Sequence, residues 1–258
     1  MASAVNDRGT RTVSIGRILE RAMNTALQNP LPTVVLALVV GAIPSAIFSW
    51  VLAGLDVQSM VVETVGRFWL IWLLSQAVAL ALSAILIGVM TNVTVELSKG
   101  VKIGLGDALM RTAPVIIPLV AFSILLGLSV MLGAVLLFVP GIMLYVAFSV
   151  GAPAIVAERV SVGRAFSRSR ELTKGARWTV FALFLIMFIM LWLISWLTGL
   201  AGLSQTTIPE FTPVRLATLA IVGTITSLLW GTIQASLYVE LREWKGGPDS
   251  DQLEQVFA

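Results

Sequence analysis

Charge is withheld from most of this chain in five long runs. Residues 22–55, 68–95, 112–157, 178–209 and 216–239 contain no Asp, Glu, Lys or Arg. A helix crosses the hydrocarbon core of a bilayer with about 20 residues, and only structures that satisfy their own backbone hydrogen bonds persist there. Runs of this length predict transmembrane helices. Four of them hold one crossing each. The run 112–157 is long enough for two, with Pro140-Gly141 as the natural turn between them. The predicted spans are 33–55, 67–95, 115–138, 142–157, 178–200 and 215–240.

The rest of the composition agrees. Hydrophobic residues make up 57% of the chain and charged ones only 12%, against about 25% charged in a typical soluble domain. With so little polar surface available, the bilayer must act as the main solvent. The basic N-terminal segment lacks the short apolar core and small-residue site of a cleaved signal peptide, so the first span is expected to act as an uncleaved anchor.

The chain has no cysteine and no histidine. Disulfide and thiolate chemistry are excluded, and the commonest general base and a favoured metal ligand are missing. No phosphate-binding glycine loop, metal-spaced cluster or catalytic serine motif is present. Catalytic residues, a metal site and cofactors are therefore not predicted, and neither is enzymatic activity.

Lys and Arg fix an expected orientation. Fifteen of the seventeen fall in the N-terminal segment, the 96–111 and 158–177 loops and the C-terminus, leaving Arg67 and Arg215 on the other side. The positive-inside rule then places both termini and both basic loops in the cytoplasm. Trp50, Trp69, Trp72 and Trp196 fall near the outer ends of their spans, and Trp178 and Trp244 near the inner face, as indole rings at headgroup level do. Trp192 and Trp230 lie deeper, at positions expected to pack. A bacterial inner membrane is the expected location. Nucleic acid is not an expected partner, because the basic residues face a membrane.

Three stretches begin alike: Val13-Ser-Ile-Gly16-Arg17, Val101-Lys-Ile-Gly104-Leu105 and Val160-Ser-Val-Gly163-Arg164. The even-numbered spans also end alike, in Thr94-Val-Glu96, Val156-Ala-Glu158 and Tyr238-Val-Glu240. The predicted fold is accordingly an all-α integral membrane domain, residues 1–245, of six transmembrane helices. They form three hairpins, each preceded by a cytoplasmic amphipathic surface helix, in repeats at about 13–97, 101–158 and 160–241. Residues 246–258 form an acidic tail expected to be disordered.

The first surface helix carries Ile15, Ile18, Leu19, Ala22, Met23, Ala26 and Leu27 at helical spacing, with Arg17, Glu20 and Arg21 elsewhere. Asn29-Pro30-Leu31-Pro32 should end it. The third has a narrower stripe of Val162, Ala165, Phe166, Ser169 and Leu172 beside a dense basic face. Ser161 should cap it and Gly175 should stop it.

The segments Val139-Pro140-Gly141-Ile142, Ala157-Glu158, Gly163-Arg164-Ala165-Phe166, Arg168-Ser169, Leu172-Thr173-Lys174-Gly175 and Arg177-Trp178, with Tyr238-Val-Glu240-Leu241-Arg242, resemble bacterial integral membrane proteins of the glycerophosphoryl diester phosphodiesterase membrane-domain-like family. The resemblance covers roughly residues 130–245. The phosphodiesterase domain that can accompany such membrane domains uses histidines and metal-binding carboxylates. A chain without histidine resembles the membrane part alone.

Two groups of residues are candidates for function. Arg164, Arg168, Arg170, Lys174 and Arg177 form a basic cluster suited to anionic lipid headgroups, each cation contributing about 1 kcal/mol near the surface; setting topology is the simpler role. Glu96, Glu158 and Glu240 can fasten neighbouring surface helices through ion pairs, or alternatively form an acidic ring or proton site. The leading expectation is a non-enzymatic protein that engages anionic phospholipids and serves membrane organisation or lipid handling. The alternative is a transporter or channel for a small or amphiphilic substrate, with a polar cavity lined by Gln76, Asn92 and Gln234. A lipid-modifying enzyme built on the three glutamates is a third option. A protein partner or an oligomer is left open.

Overall fold

The computed structural model describes residues 12–53, 62–136, 138–200 and 213–246. Its order is α1 (Ile15–Gln28), α2 (Pro30–Ala53), α3 (Val62–Ser98), α4 (Leu105–Thr112), a 3-10 turn (Ala113–Val115), α5 (Ile116–Leu136), α6 (Phe138–Phe148), α7 (Gly151–Glu158), α8 (Val162–Thr173), α9 (Arg177–Leu200) and α10 (Pro213–Gly246). The described residues contain no strand. The predicted tail beyond residue 246, and the side chains of Trp50, Arg67, Trp69, Trp72, Gln76 and Arg215, lie outside the described set.

Five helical segments are long and apolar enough to cross a membrane: Val78–Ser98, Leu105–Val135, Val139–Glu158, Arg177–Gly199 and Ala217–Gly246. A sixth arises if α1 and Pro30–Gly41 count as one span, although these two are bent by 99°. The bend has a local cause. Pro30 excludes Asn29 from the helical region, so Asn29 adopts φ −129° and α1 stops. Pro30 then starts α2 in the first turn, where its missing N–H costs nothing. Large side chains point outward from the spans: Ile117 is 82% exposed, Val135 80% and Phe188 67%. Exposed apolar surface on this scale belongs in lipid, and the molecule is an all-helical membrane protein.

One expectation about the 112–157 run needs correction. Pro140 and Gly141 are not the turn. They sit inside the first turn of α6, where proline is tolerated because the first N–H groups are unpaired. Gly141 serves the α5–α6 crossing, since a Cβ on Gly133 would lie 3.0 Å from the Gly141 Cα. The span expected at 142–157 falls within the candidate span Val139–Glu158, but its helix is interrupted at Ser149-Val150, between α6 and α7. Trp192 differs as well: it is 58% exposed and stacks on Trp196. Trp230 does pack, against Tyr145 and Phe184.

The core gathers where α3, α7 and α10 end. Buried Met90 and Val93, Ile155 and Val156, and Leu237 and Leu241 lie in their final turns. Around these ends pack Ile18 and Ala22 of α1, Ala108 of α4, and Ala165 and Leu172 of α8. The short amphipathic helices thus cover one end of the bundle. Elsewhere α2 and α10 meet backbone to backbone at Gly41 and Gly223, where neither glycine leaves room for a side chain.

Candidate functional site

Glu96, Glu158 and Glu240 occupy the last turn or turns of α3, α7 and α10, and each accepts from a different amphipathic helix. Arg17 of α1 donates to Glu240 through Nε at 2.8 Å and Nη2 at 2.6 Å. Arg111 of α4 donates to Glu96 at 3.1 Å, with Lys99 at 3.4 Å. Arg168 of α8 donates through Nε to both oxygens of Glu158 at 2.9 Å. The direction of exchange is constant. The glutamate ending one helix holds the short helix that follows it, and Glu240, the last, holds the first. The Tyr238 hydroxyl adds a 3.0 Å bond to Glu158, tying α10 to the α7–α8 pair.

These contacts differ in burial, and so in weight. The Glu240 side chain is 4% exposed while Arg17 is 49% exposed. The Glu240 hydrogen bond holds Arg17 above its ordinary pKa against the opposing effect of burial. For Arg168, burial works downward, and the Glu158 hydrogen bond and charge outweigh it to give a raised pKa. Both guanidinium groups stay charged at any working pH.

The α8 helix (Val162–Thr173) is held by more than its ion pair. The break between α6 and α7 leaves backbone groups without helical partners, and α8 supplies them. Ser169 Oγ donates to the Ala147 carbonyl at 3.0 Å and accepts from the Val150 N–H at 3.3 Å. Thr173 Oγ1 reaches the same carbonyl at 3.2 Å. Ala165, Ser169, Leu172 and Thr173 are all buried. Ser161 occupies the N-cap position but makes no side-chain capping bond. Gly175, at φ +95°, makes the turn into α9, a left-handed conformation that glycine adopts freely.

With α8 oriented in this way, its basic residues separate. Arg168 is engaged by Glu158 and lies 3.7 Å from Glu171. Arg164, Arg170 and Lys174 are exposed and form no side-chain ion pair among the described residues. Arg177 starts α9, with its Nε buried and unpartnered. Arg170 and Lys174 also line a surface cavity of about 560 Å³ with Phe148, Phe166, Ser167 and Glu171.

Of the polar residues assigned to a transport path, the Gln76 side chain lies outside the described residues. Asn92 donates to Thr112 at 3.0 Å, fixing α3 to α4, and Gln234 is buried on α10. Among the described residues no group of acidic side chains is placed to hold a metal ion. Sequence reading overlooked Tyr238, Ser169 and Thr173. Tyr238 carried a faint signal, being one of only two tyrosines and two residues before Glu240; Ser169 carried one through its place on the apolar stripe of α8, and Thr173 carried none.

Neither a family model nor a curated protein nor a solved structure matches the chain.

Proposed function

We propose that this is a non-enzymatic protein of a bacterial inner membrane that engages anionic phospholipids through surface helices on the cytoplasmic face, in membrane organisation or lipid handling. In this reading the chain comprises three units, α1–α3, α4–α7 and α8–α10, each a surface helix followed by a transmembrane hairpin. The likeness to glycerophosphoryl diester phosphodiesterase membrane domains belongs to the same proposal and extends only to the membrane part.

The observation that carries the proposal is the outward face of α8. Its inner face is committed to the α6–α7 break, while Arg164, Arg170 and Lys174 remain exposed and form no ion pair among the described residues. Cations held on a rigid helix beside apolar spans attract anionic headgroups. The outward face of α1 adds support, since Leu19, Met23 and Leu27 are 38%, 61% and 70% exposed at successive turns. Such a stripe suits a helix lying in the interface plane. The 99° bend between α1 and the first part of α2 suits a passage from that plane to a crossing.

Replacing Arg164, Arg170 and Lys174 together with glutamate tests the reading. Anionic phospholipid co-purifying with the protein should fall severalfold relative to zwitterionic lipid, with the helical circular dichroism unchanged. An unaltered lipid profile in a folded triple variant sinks it. Arg168 is left intact, because its partner Glu158 makes it a structural residue.

A further inference from the structure

We infer that the cavity between α6 and α8 is a site for a single monoanionic glycerophospholipid with a neutral, hydroxyl-bearing headgroup. The inference rests on the lipid-engaging reading and goes further by giving one lipid a defined place.

The cavity, of about 560 Å³, falls in the size range of small-ligand sites. Its walls are of two kinds. Phe148 and Phe166 meet edge to face, with ring centroids 5.0 Å apart, and Phe166 is backed by Phe122 at 4.5 Å. This aromatic wall is anchored in the core, so it offers the glycerol backbone and the first acyl carbons a preformed apolar surface. Arg170 lies in the last turn of α8 and Lys174 follows at its C-cap; both line the cavity, where a phosphodiester can lie between them. Among the described residues neither forms an ion pair.

Charge balance selects the lipid. Arg170 and Lys174 with Glu171 give the lining a net charge of +1, matching one phosphodiester anion. A second phosphate would be uncompensated and would meet Glu171. An ammonium headgroup would make the lipid neutral and leave the positive charge of the site unbalanced. A neutral headgroup with hydroxyls can donate to Glu171, and Ser167, whose Oγ already donates to the Arg164 carbonyl at 2.9 Å, still has lone pairs to accept another.

The test is native mass spectrometry of the full chain in detergent, titrated separately with phosphatidylglycerol, phosphatidylethanolamine and cardiolipin. The wild type should retain one phosphatidylglycerol in preference to the other two. Arg170→Gln with Lys174→Gln should weaken that binding by about tenfold or more. The control Lys102→Gln with Arg242→Gln removes the same charge from exposed positions outside the cavity, and should change it less than about twofold. Glu171→Gln should shift preference toward cardiolipin, a change that a purely structural role for Glu171 does not produce. Equal losses in the cavity variant and the control mean diffuse attraction to a basic surface, overturning the site while leaving the broader function standing. Retention unaffected by the cavity variant, or a preference for phosphatidylethanolamine, also overturns the site alone. A wild type that retains no anionic lipid overturns both.

Discussion

The α1 and α8 helices hold similar places beside the bundle, yet they face their surroundings with opposite chemistry. In α1 the cations are spent on the protein: Arg17 reaches Glu240 and Arg21 reaches Glu243 at 2.8 Å. What remains outside includes the apolar stripe Leu19, Met23 and Leu27. In α8 the inner face is bound largely through hydroxyls, Ser169 and Thr173 on the α6–α7 break, and only Arg168 is drawn into an ion pair with a helix end. Its other cations face out. The residue that anchors a short helix to the bundle therefore decides what that helix leaves facing outward. Anchoring by cations leaves α1 an apolar face, and anchoring by small hydroxyls leaves α8 a charged one.

Breaking the α1 anchor should have the largest effect. Arg17→Ala leaves Glu240 almost fully buried with its charge unpaired. The expected cost is about 2 kcal/mol, less than for a wholly buried pair because half of Arg17 is already in water. Glu240→Gln should cost less, since an exposed arginine can rehydrate. Denaturation midpoints of the two variants in detergent would reveal the asymmetry, and equal losses would contradict it.

The α8 anchor should be more tolerant. Glu158→Ala removes the acceptor of both Arg168 and the buried Tyr238 hydroxyl, at about 1–2 kcal/mol, but Ser169 and Thr173 still hold the helix. Hydrogen exchange should accelerate modestly over α8 and stay slow at the α6–α7 break. Melting of that break in the variant would show that the ion pair, not the hydroxyls, is the principal anchor.

The outward faces should respond in different ways and with the smallest effect on folding. Met23→Ser with Leu27→Ser should change stability in detergent by less than about 1 kcal/mol. It should nevertheless reduce protection of α1 from water-borne probes in vesicles, at low and high salt alike. Protection of α8 that depends on Arg164, Arg170 and Lys174 should fade by about 1 M salt, where the Debye length is near 3 Å. A salt response shared by both helices would erase the distinction between them.

Much of this was legible before any coordinates. Periodicity found α1 and the buried face of α8, because alternation of apolar and polar residues on a helix is a local property. Asn29-Pro30 marked the end of α1 because proline acts on its immediate neighbour. The recurrence of glutamate at Glu96, Glu158 and Glu240 was visible as a pattern. Which arginine each one takes was not, since Arg17 and Glu240 are separated by nearly the whole chain. The break in 142–157 did carry a local mark, because Pro153 has no N–H to offer the Ser149 carbonyl; what the sequence hid is that Ser169 and Thr173 of another helix satisfy the backbone at the break.

The sequence alone therefore determined the solvent of this protein and the location of its apolar helices, because the cost of a charge in hydrocarbon is paid residue by residue. Tertiary structure decided how the end of the bundle is closed. It chose which cations are bound internally and which stay free, because that choice depends on the donors and acceptors that distant segments bring within hydrogen-bond distance. Five basic residues on and just beyond one short helix look alike in sequence. Folding engages Arg168 in an ion pair, buries the Arg177 Nε without a partner, and leaves Arg164, Arg170 and Lys174 facing outward.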